Sequence, residues 1–316
     1  PCGPTSMLPR STRPLPPMAA ANGVSAVPAS NWAGAEPKVP QASMLKARVL
    51  TAIALLCGLL VGVFLLPAWA WLLVCALVCG AAAWEWGALA GFARPLRLST
   101  AASLGGACLL LGLVTGFGSP GAAGGLLLVP LYSLSALFWL LVAPAWLAKK
   151  WSLTNPMLAS VVGFVVLVPT ALALVHLRAV SPWLMLAVMA VVWVADIAAY
   201  FSGRSFGRHK LAPSISPGKT WEGAIGAGLA VLLFGFGMLA WQGASQPGGA
   251  LAIAAVLVMW TALSIVGDLY ESLLKRQAGM KDSGSILPGH GGILDRIDSL
   301  TSTLPMVALG IVLLAR

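Results

Sequence analysis

Acidic side chains are scarce in this sequence, and five of the nine lie close together between Asp268 and Asp298. Asp268 begins a polar helical face, because three residues follow it at spacings of three, four and seven: Glu271, Ser272 and Lys275. Asp295 and Asp298 form a second pair at helical spacing. Such carboxylates can hold a hard cation such as Mg²⁺, which usually takes one or two carboxylates together with water and substrate phosphates. Spacing alone leaves open an ordinary charged helix entry, with acids near the positive end of the helix dipole.

A glycine-rich turn, residues 288–292, lies between these acids. Its Gly291 and Gly292 would let backbone N–H groups approach a phosphate closely. Four basic residues surround the turn: Lys275, Arg276, Lys281 and Arg296. Cations beside carboxylates suit a metal–nucleotide complex, because the metal and the basic side chains share the phosphate charge. His290 is the only histidine in this segment, so we favour a hydrogen bond to phosphate or an orienting role over metal binding.

A second polar segment, residues 202–221, is basic and rich in glycine, proline and serine. Gly218-Lys219-Thr220 resembles the end of a P-loop, but Pro213 stands where that motif requires a glycine, which excludes it. The remaining candidates for binding an anion are hydroxyls and cations: Arg204, Ser214, Ser216, Lys219 and Thr220. A loop that is basic only because it faces the cytoplasm would explain the charge but not the cluster of hydroxyls.

Three carboxylates lie within apolar runs or at their ends: Glu85, Asp196 and Asp268. A carboxylate in mid-membrane costs about 3 kcal/mol and needs a partner, a cavity or a metal. We therefore expect a function for Asp196 and Asp268. For Glu85, which Trp84 and Trp86 flank, a functional role and a carboxyl that merely reaches the membrane interface are equally supported.

The elements that position these residues must be membrane helices. Charged residues make up 9% of the chain, hydrophobic residues 59%, and the mean hydropathy is +0.91, whereas about a quarter of a soluble domain is charged. Apolar stretches near the roughly 20 residues that cross a bilayer fall at 49–66, 68–92, 101–118, 122–147, 157–177, 182–202, 222–242, 248–270 and 299–315. The sequence predicts an all-α polytopic transmembrane bundle of nine spans, or eight if an irregular one fails. The first pair is closely spaced, and Pro130 and Pro144 interrupt the fourth span.

Basic residues also predict the orientation. With nine spans, one side of the membrane receives nearly all of them: Lys46/Arg48, Arg94/Arg97, Lys149/Lys150 and the loops 203–221 and 271–298. The N-terminus and both basic loops should therefore face the cytoplasm of a bacterial-type inner or plasma membrane. This distribution explains the net charge of +10 without nucleic acid as a partner. Four cysteines lie in predicted spans without metal-site spacing and are expected to pack: Cys57, Cys75, Cys79 and Cys108.

The chain divides into three predicted regions. Residues 1–43 are rich in proline, alanine and serine, and we expect a disordered extension that is foreign to the native protein if Met44 is the true start. An intact mass of the native protein tests that start site. Residues 44–190 supply N-terminal membrane helices, and residues 191–316 form a catalytic membrane region with two cytoplasmic basic loops.

Two blocks of sequence resemble a known family. Residues 272–298 read SLLKRQAGMKDSGSILPGHGGILDRID, and residues 196–204 and 214–223 read DIAAYFSGR and SISPGKTWEG. Both blocks are similar to the characteristic stretches of the phosphatidate cytidylyltransferase (CDP-diacylglycerol synthase) family. The resemblance covers residues 44–316, and so many matched positions make chance agreement negligible.

The resemblance implies a membrane nucleotidyltransferase that joins CTP to phosphatidic acid, giving CDP-diacylglycerol and pyrophosphate. It implies Mg²⁺ held by Asp268 and Asp295, beside a second cation such as K⁺. The predicted catalytic residues are Asp196, Lys219, Asp268, Asp295 and Asp298. The predicted substrate-binding residues are Arg204, Ser214, Ser216, Lys219, Thr220, Ser272, Lys275, Arg276, Lys281, Asp282, His290, Gly291, Gly292 and Arg296. The oligomeric state stays open, with a homodimer as one option.

Two other functions remain as alternatives. A CTP-dependent lipid kinase of the polyprenol or dolichol type would need the same pocket and basic loops but would transfer the γ-phosphate. An ion-coupled secondary transporter could use intramembrane acids, but its acids would lie near the midplane in paired broken helices. A CDP-alcohol phosphotransferase is disfavoured because its DGxxAR opening is absent from the sequence.

Overall fold

The computed structural model describes residues 41–116, 122–241, 243, 249–287, 289 and 291–314. Helices dominate this part of the chain, with one small antiparallel sheet. The helices are α1 (Gln41–Leu65), α2 (Ala68–Leu89), α3 (Arg94–Val114), α4 (Ala122–Leu137), α5 (Ala143–Lys149), α6 (Pro156–Val180), α7 (Pro182–Phe206), α8 (Trp221–Trp241), α9 (Ala250–Gln277) and α10 (Leu294–Leu314). The strands are β1 (Lys210–Ala212) and β2 (Ser216–Thr220), and a π-helical turn (Phe138–Val142) joins α4 to α5.

The all-α membrane bundle predicted from the sequence is confirmed. Each predicted span coincides with a helix, when α4, the π-helical turn and α5 are taken together. Among the described residues, eight helices are long and apolar enough to cross a membrane, and Val49–Leu65 is a shorter apolar helix. The orientation of the termini stays a prediction. Helix α1 already includes residues 41–43 of the predicted disordered extension, and residues 1–40 lie outside the described part.

Proline causes the irregularity of the fourth span. Pro144 has no N–H to donate, and its ring would collide with the carbonyl one turn earlier in a regular α-helix. The chain widens into the π-helical turn just before this proline, and Ala143 N–H donates to the carbonyl of Phe138, five residues back. A widened turn of this kind lets the helix pass the proline without ending. Pro130, by contrast, lies inside α4.

Helix α6 forms the centre of the bundle. It packs against α2, α3, α4, α7 and α10, and it is mostly apolar, as expected of a helix that neighbours cover on most sides. Gly163 shows how closely α2 approaches, because a Cβ on this residue would lie 2.7 Å from Nε1 of Trp86. The Trp86 ring N–H donates to the carbonyl of Ala159 at 2.9 Å.

Helices α7 to α10 and the β1–β2 hairpin form the region that carries the two polar segments. Helices α9 and α10 extend beyond the predicted apolar runs 248–270 and 299–315 at their polar ends. Helix α9 continues to Gln277, and α10 begins at Leu294. Gly267 lets α9 and α10 meet closely, since a Cβ there would lie 2.6 Å from the carbonyl oxygen of Asp298. This contact brings Asp268 beside the first turns of α10.

Candidate active site

A cavity of about 540 Å³ lies between α7, α8, α9, α10 and strand β2. Its walls combine small apolar residues, such as Ala199 and Ala224, with a concentrated set of charges and hydroxyls. The predicted site residues that line it are Asp196, Arg204, Ser216, Lys219, Thr220, Asp268, Asp295 and Asp298. The structure thus brings all five predicted catalytic residues to one cavity, although they come from three helices and a hairpin.

An ion pair joins the hairpin to α9 across this cavity. Lys219 Nζ lies 2.5 Å from Oδ2 of Asp268, and the two side chains are 25% and 30% exposed. Ser272 Oγ–H donates to Oδ1 of the same carboxylate at 3.3 Å. Both oxygens of Asp268 therefore have a partner, and one partner is a flexible cation that can move away.

Asp295 has a different environment. Its Oδ1 lies 2.6 Å from Lys275 Nζ, and its Oδ2 accepts the backbone N–H groups of Ser283 and Gly292, each at 2.9 Å. Lys275 also lies 3.1 Å from the Glu271 carboxylate, and only 14% of its side chain is exposed. Asp295 thus organises the loop before α10 as well as lining the cavity, and Lys275 bridges α9 and α10.

Asp196 and Asp298 complete the acidic wall. Asp298 lies close enough to Asp268 and Asp196 for their charges to interact, and its Oδ1 accepts the N–H of Ser299 at 2.7 Å. Three carboxylates from α7, α9 and α10 therefore face one space with Lys219. Such a wall repels free anions but accommodates cations and metal-bound phosphates.

The predicted metal site fits these residues in part. Carboxylate oxygens are the donors that Mg²⁺ prefers, and Asp268 presents them at the cavity wall. Among the described residues, no group of three or more histidine, cysteine, aspartate and glutamate side chains is arranged to hold a metal ion. Two carboxylates completed by water and substrate phosphates remain compatible with Mg²⁺, which is commonly bound in this way. Asp268 is the more open of the two predicted ligands, since the side chain of Asp295 is only 8% exposed.

Other predicted binding residues do not line the cavity. Three of them donate hydrogen bonds to the carboxylates of Asp268 and Asp295 without lining the cavity themselves: Ser272, Lys275 and Gly292. Five lie exposed on the polar segments: Ser214, Arg276, Lys281, Asp282 and Arg296. Gly291 is half-buried and pairs with Leu287 in an isolated bridge. His290 lies outside the described residues, and the roles of all these residues stay predictions.

The base of the β1–β2 hairpin depends on Thr220, a predicted binding residue, and on Glu222, which was not among the predicted site residues. Glu222 accepts the backbone N–H of His209 at 3.2 Å and lies 2.7 Å from its Nδ1. Thr220 Oγ accepts the N–H of Gly223 at 3.1 Å, at the start of α8. These contacts fix the hairpin that carries Lys219. The only signal for Glu222 in the sequence was its position directly after the basic segment, residues 202–221.

Glu85 is the buried acid whose role the sequence left undecided. It is 1% exposed, so its carboxylate does not reach an aqueous interface. Its Oε2 instead accepts the backbone N–H of Leu294, at 2.8 Å, where α10 begins. The position of Glu85 in the middle of an apolar run indicated that its carboxylate has a partner, but the run did not show that this partner is Leu294.

Comparisons with known proteins agree with the resemblance. Residues 46–314 match the cytidylyltransferase family. A phosphatidate cytidylyltransferase of Pseudomonas aeruginosa is 42% identical over 274 residues, which cover 84% of this chain and 96% of that protein. One of Haemophilus influenzae is 37% identical over 280 residues, covering 83% and 96%. One of Brucella suis is 46% identical over 143 residues, covering 44% and 52%. The matched family region includes every helix that lines the cavity.

Proposed function

Because the chain belongs to the cytidylyltransferase family and is a nucleotidyltransferase among membrane-spanning helices, we propose that it transfers the cytidylyl group of CTP to phosphatidic acid. The products are CDP-diacylglycerol and pyrophosphate. The relatives from Pseudomonas aeruginosa and Haemophilus influenzae are named for this substrate and align over almost their full length.

One observation carries the proposal: a single cavity gathers four aspartates, a lysine, an arginine and four hydroxyl side chains beside apolar helix walls. Its volume of about 540 Å³ lies within the usual range for small-molecule sites. Lys219 and Arg204 suit the phosphates of CTP and of the lipid, and the four aspartates suit a cation that accompanies those phosphates. Small apolar residues on α7 and α8 suit a glycerolipid whose acyl chains stay in the bilayer.

The reaction requires positioning and charge neutralisation more than proton transfer. The phosphate monoester of phosphatidic acid is already anionic near neutral pH, so its oxygen can attack the α-phosphorus of CTP in line as pyrophosphate leaves. Lys219 is poised to exchange its partner Asp268 for a phosphate, because its ammonium group already lies at the cavity wall. Arg204, whose Nη1 donates to the hydroxyl of Tyr200 at 2.8 Å, supplies a second cation at the same cavity.

A divalent cation belongs to the same proposal. Mg²⁺ bound by Asp268 and Asp295, with a second cation such as K⁺, would neutralise charge on the phosphates. Asp196 and Asp298 would add negative charge around that site. We further propose that the cavity opens to the cytoplasmic face of a bacterial-type inner or plasma membrane, because basic residues collect in loops on one side of the predicted topology.

Product analysis tests the proposal directly. The purified full chain, reconstituted in lipid nanodiscs, is supplied with phosphatidic acid and with CTP labelled either in cytidine or in the γ-phosphate. We expect labelled cytidine in the lipid fraction, labelled pyrophosphate in solution, and loss of both with a chelator. Diacylglycerol serves as the control acceptor, because it lacks the attacking phosphate and should give no product. Transfer of labelled γ-phosphate to lipid without cytidine would instead indicate a lipid kinase.

A further inference from the structure

The carboxylate of Glu85 reaches from α2 into the loop that precedes α10. Its Oε2 accepts the backbone N–H of Leu294 at 2.8 Å and the hydroxyl of Ser283 at 3.2 Å. These partners lie 209 and 198 residues further along the chain. Helix α2 thereby supplies a cap to the first residue of α10, because a carboxylate favours the unpaired N–H groups and positive dipole at a helix start.

Asp295 also holds this loop. Its Oδ2 accepts the N–H groups of Ser283 and Gly292, so Ser283 is bound by Asp295 through its backbone and by Glu85 through its hydroxyl. The loop lies directly on the Glu85 carboxylate, since a Cβ on Gly292 would lie 2.5 Å from Oε2. Gly284 is equally close to this carboxylate. Two acids therefore fix one loop, and one of them lines the cavity.

Residues other than Glu85 also hold α2 in the bundle. Apolar side chains such as Leu72 bury the helix, and Trp86 separately ties it to α6 through the carbonyl of Ala159. Within the described part of the chain, both hydrogen bonds to the Glu85 carboxylate come from residues 283–294. A buried carboxylate without such partners would be costly. Its contacts are thus directed at the loop rather than at the bundle.

We propose that Glu85 is a positioning residue for cytidylyl transfer: it fixes Ser283 and residues 291–294 so that Asp295 meets the cavity in a single geometry. This inference rests on the proposed function. It deepens that function by assigning a role to the N-terminal helices, which contribute none of the residues that line the cavity. Glu85 itself touches neither substrate nor metal in this proposal.

The test compares three variants of the full chain in nanodiscs with the wild type. Glu85→Ala removes both hydrogen bonds, and we expect kcat/KM for CTP to fall about a hundredfold, as a misplaced reactive geometry typically causes. The backbone amides of Ser283 and of residues 291–294 should exchange hydrogen at least about tenfold faster, since a lost bond to a charged group has that effect. Glu85→Gln can keep an oxygen in the position of Oε2, so it should stay within about tenfold of wild-type activity. Leu72→Ala is the matched control, because it opens α2 packing away from the loop and should lower Tm without either change.

Each outcome decides the inference. Wild-type activity in Glu85→Ala would refute it, and so would lost activity with loop exchange no faster than in Leu72→Ala. If Glu85→Ala cannot be purified, Glu85→Gln and Glu85→Asp replace it. Aspartate has a shorter side chain than glutamine, so equal activity and equal loop exchange in these two variants would refute the inference. If the wild type forms no CDP-diacylglycerol, the proposed function fails, and Glu85→Ala is then judged on hydrogen exchange alone.

Discussion

Replacing Asp268 with asparagine removes one carboxylate from the cavity wall and keeps the size of the side chain. The ion pair with Lys219 is about a quarter to a third exposed, so water screens it and it contributes about 0–1 kcal/mol to folding. Asparagine can still accept the hydrogen bond from Ser272. We therefore expect a small change in Tm. For the proposed Mg²⁺ site the loss in catalysis is larger, because the metal that Asp268 would hold would neutralise developing charge worth several kcal/mol, or about a thousandfold in kcat.

The assay measures kcat for CDP-diacylglycerol formation across a Mg²⁺ titration, together with Tm of the same preparation. Arg178→Gln is the control for losing a charge: Arg178 donates to the carbonyls of Val63 and Leu66 at the corner between α1 and α2. It should lower Tm and leave kcat per folded molecule unchanged. Near-normal kcat of Asp268→Asn at saturating Mg²⁺ would refute the metal assignment. If kcat falls only in proportion to the loss of folded protein, the prediction that Asp268 acts in catalysis rather than in folding is refuted.

Two further predictions follow from the packing and the charges. Gly267→Ala would place a Cβ 2.6 Å from the carbonyl oxygen of Asp298. We therefore expect about 1–3 kcal/mol of destabilisation and at least about tenfold lower kcat. In the control Gly228→Ala the added Cβ meets nothing within 4 Å, so neither stability nor kcat should fall. Chelation should abolish transfer but leave the far-ultraviolet circular dichroism and Tm nearly unchanged, because lysines already neutralise two cavity acids. Unfolding on chelation would show that the metal holds the fold.

The membrane helices could be predicted because hydrocarbon imposes a length and an apolar composition that a sequence displays directly. Their polar ends could not be delimited in this way. Helix α9 runs on through Lys275 to Gln277, and α10 starts at Leu294, because tertiary partners rather than hydropathy stabilise these turns. Hydropathy likewise did not predict that α3 begins at Arg94, which lies before the predicted span 101–118.

Many of the residues that line the cavity could be predicted from charge scarcity and from the resemblance, but their pairing could not. The phosphate-binding role of Lys275 stays a prediction, and the sequence did not indicate that Lys275 pairs with Glu271 and Asp295. Contacts across 20 residues or more depend on how helices cross, which a linear pattern does not contain. Glu85 is the extreme case, since its partner Leu294 lies on the last helix of the described chain.

The two long-range ion pairs also bear on how the protein is made. Lys219 precedes Asp268 in the chain, and Lys275 precedes Asp295. During synthesis from the N-terminus, each lysine is therefore in place before the acid that it will neutralise leaves the ribosome. A largely buried acid is costly without a partner. The order of the charges along the chain therefore makes a cation available to each acid as soon as that acid has been synthesised.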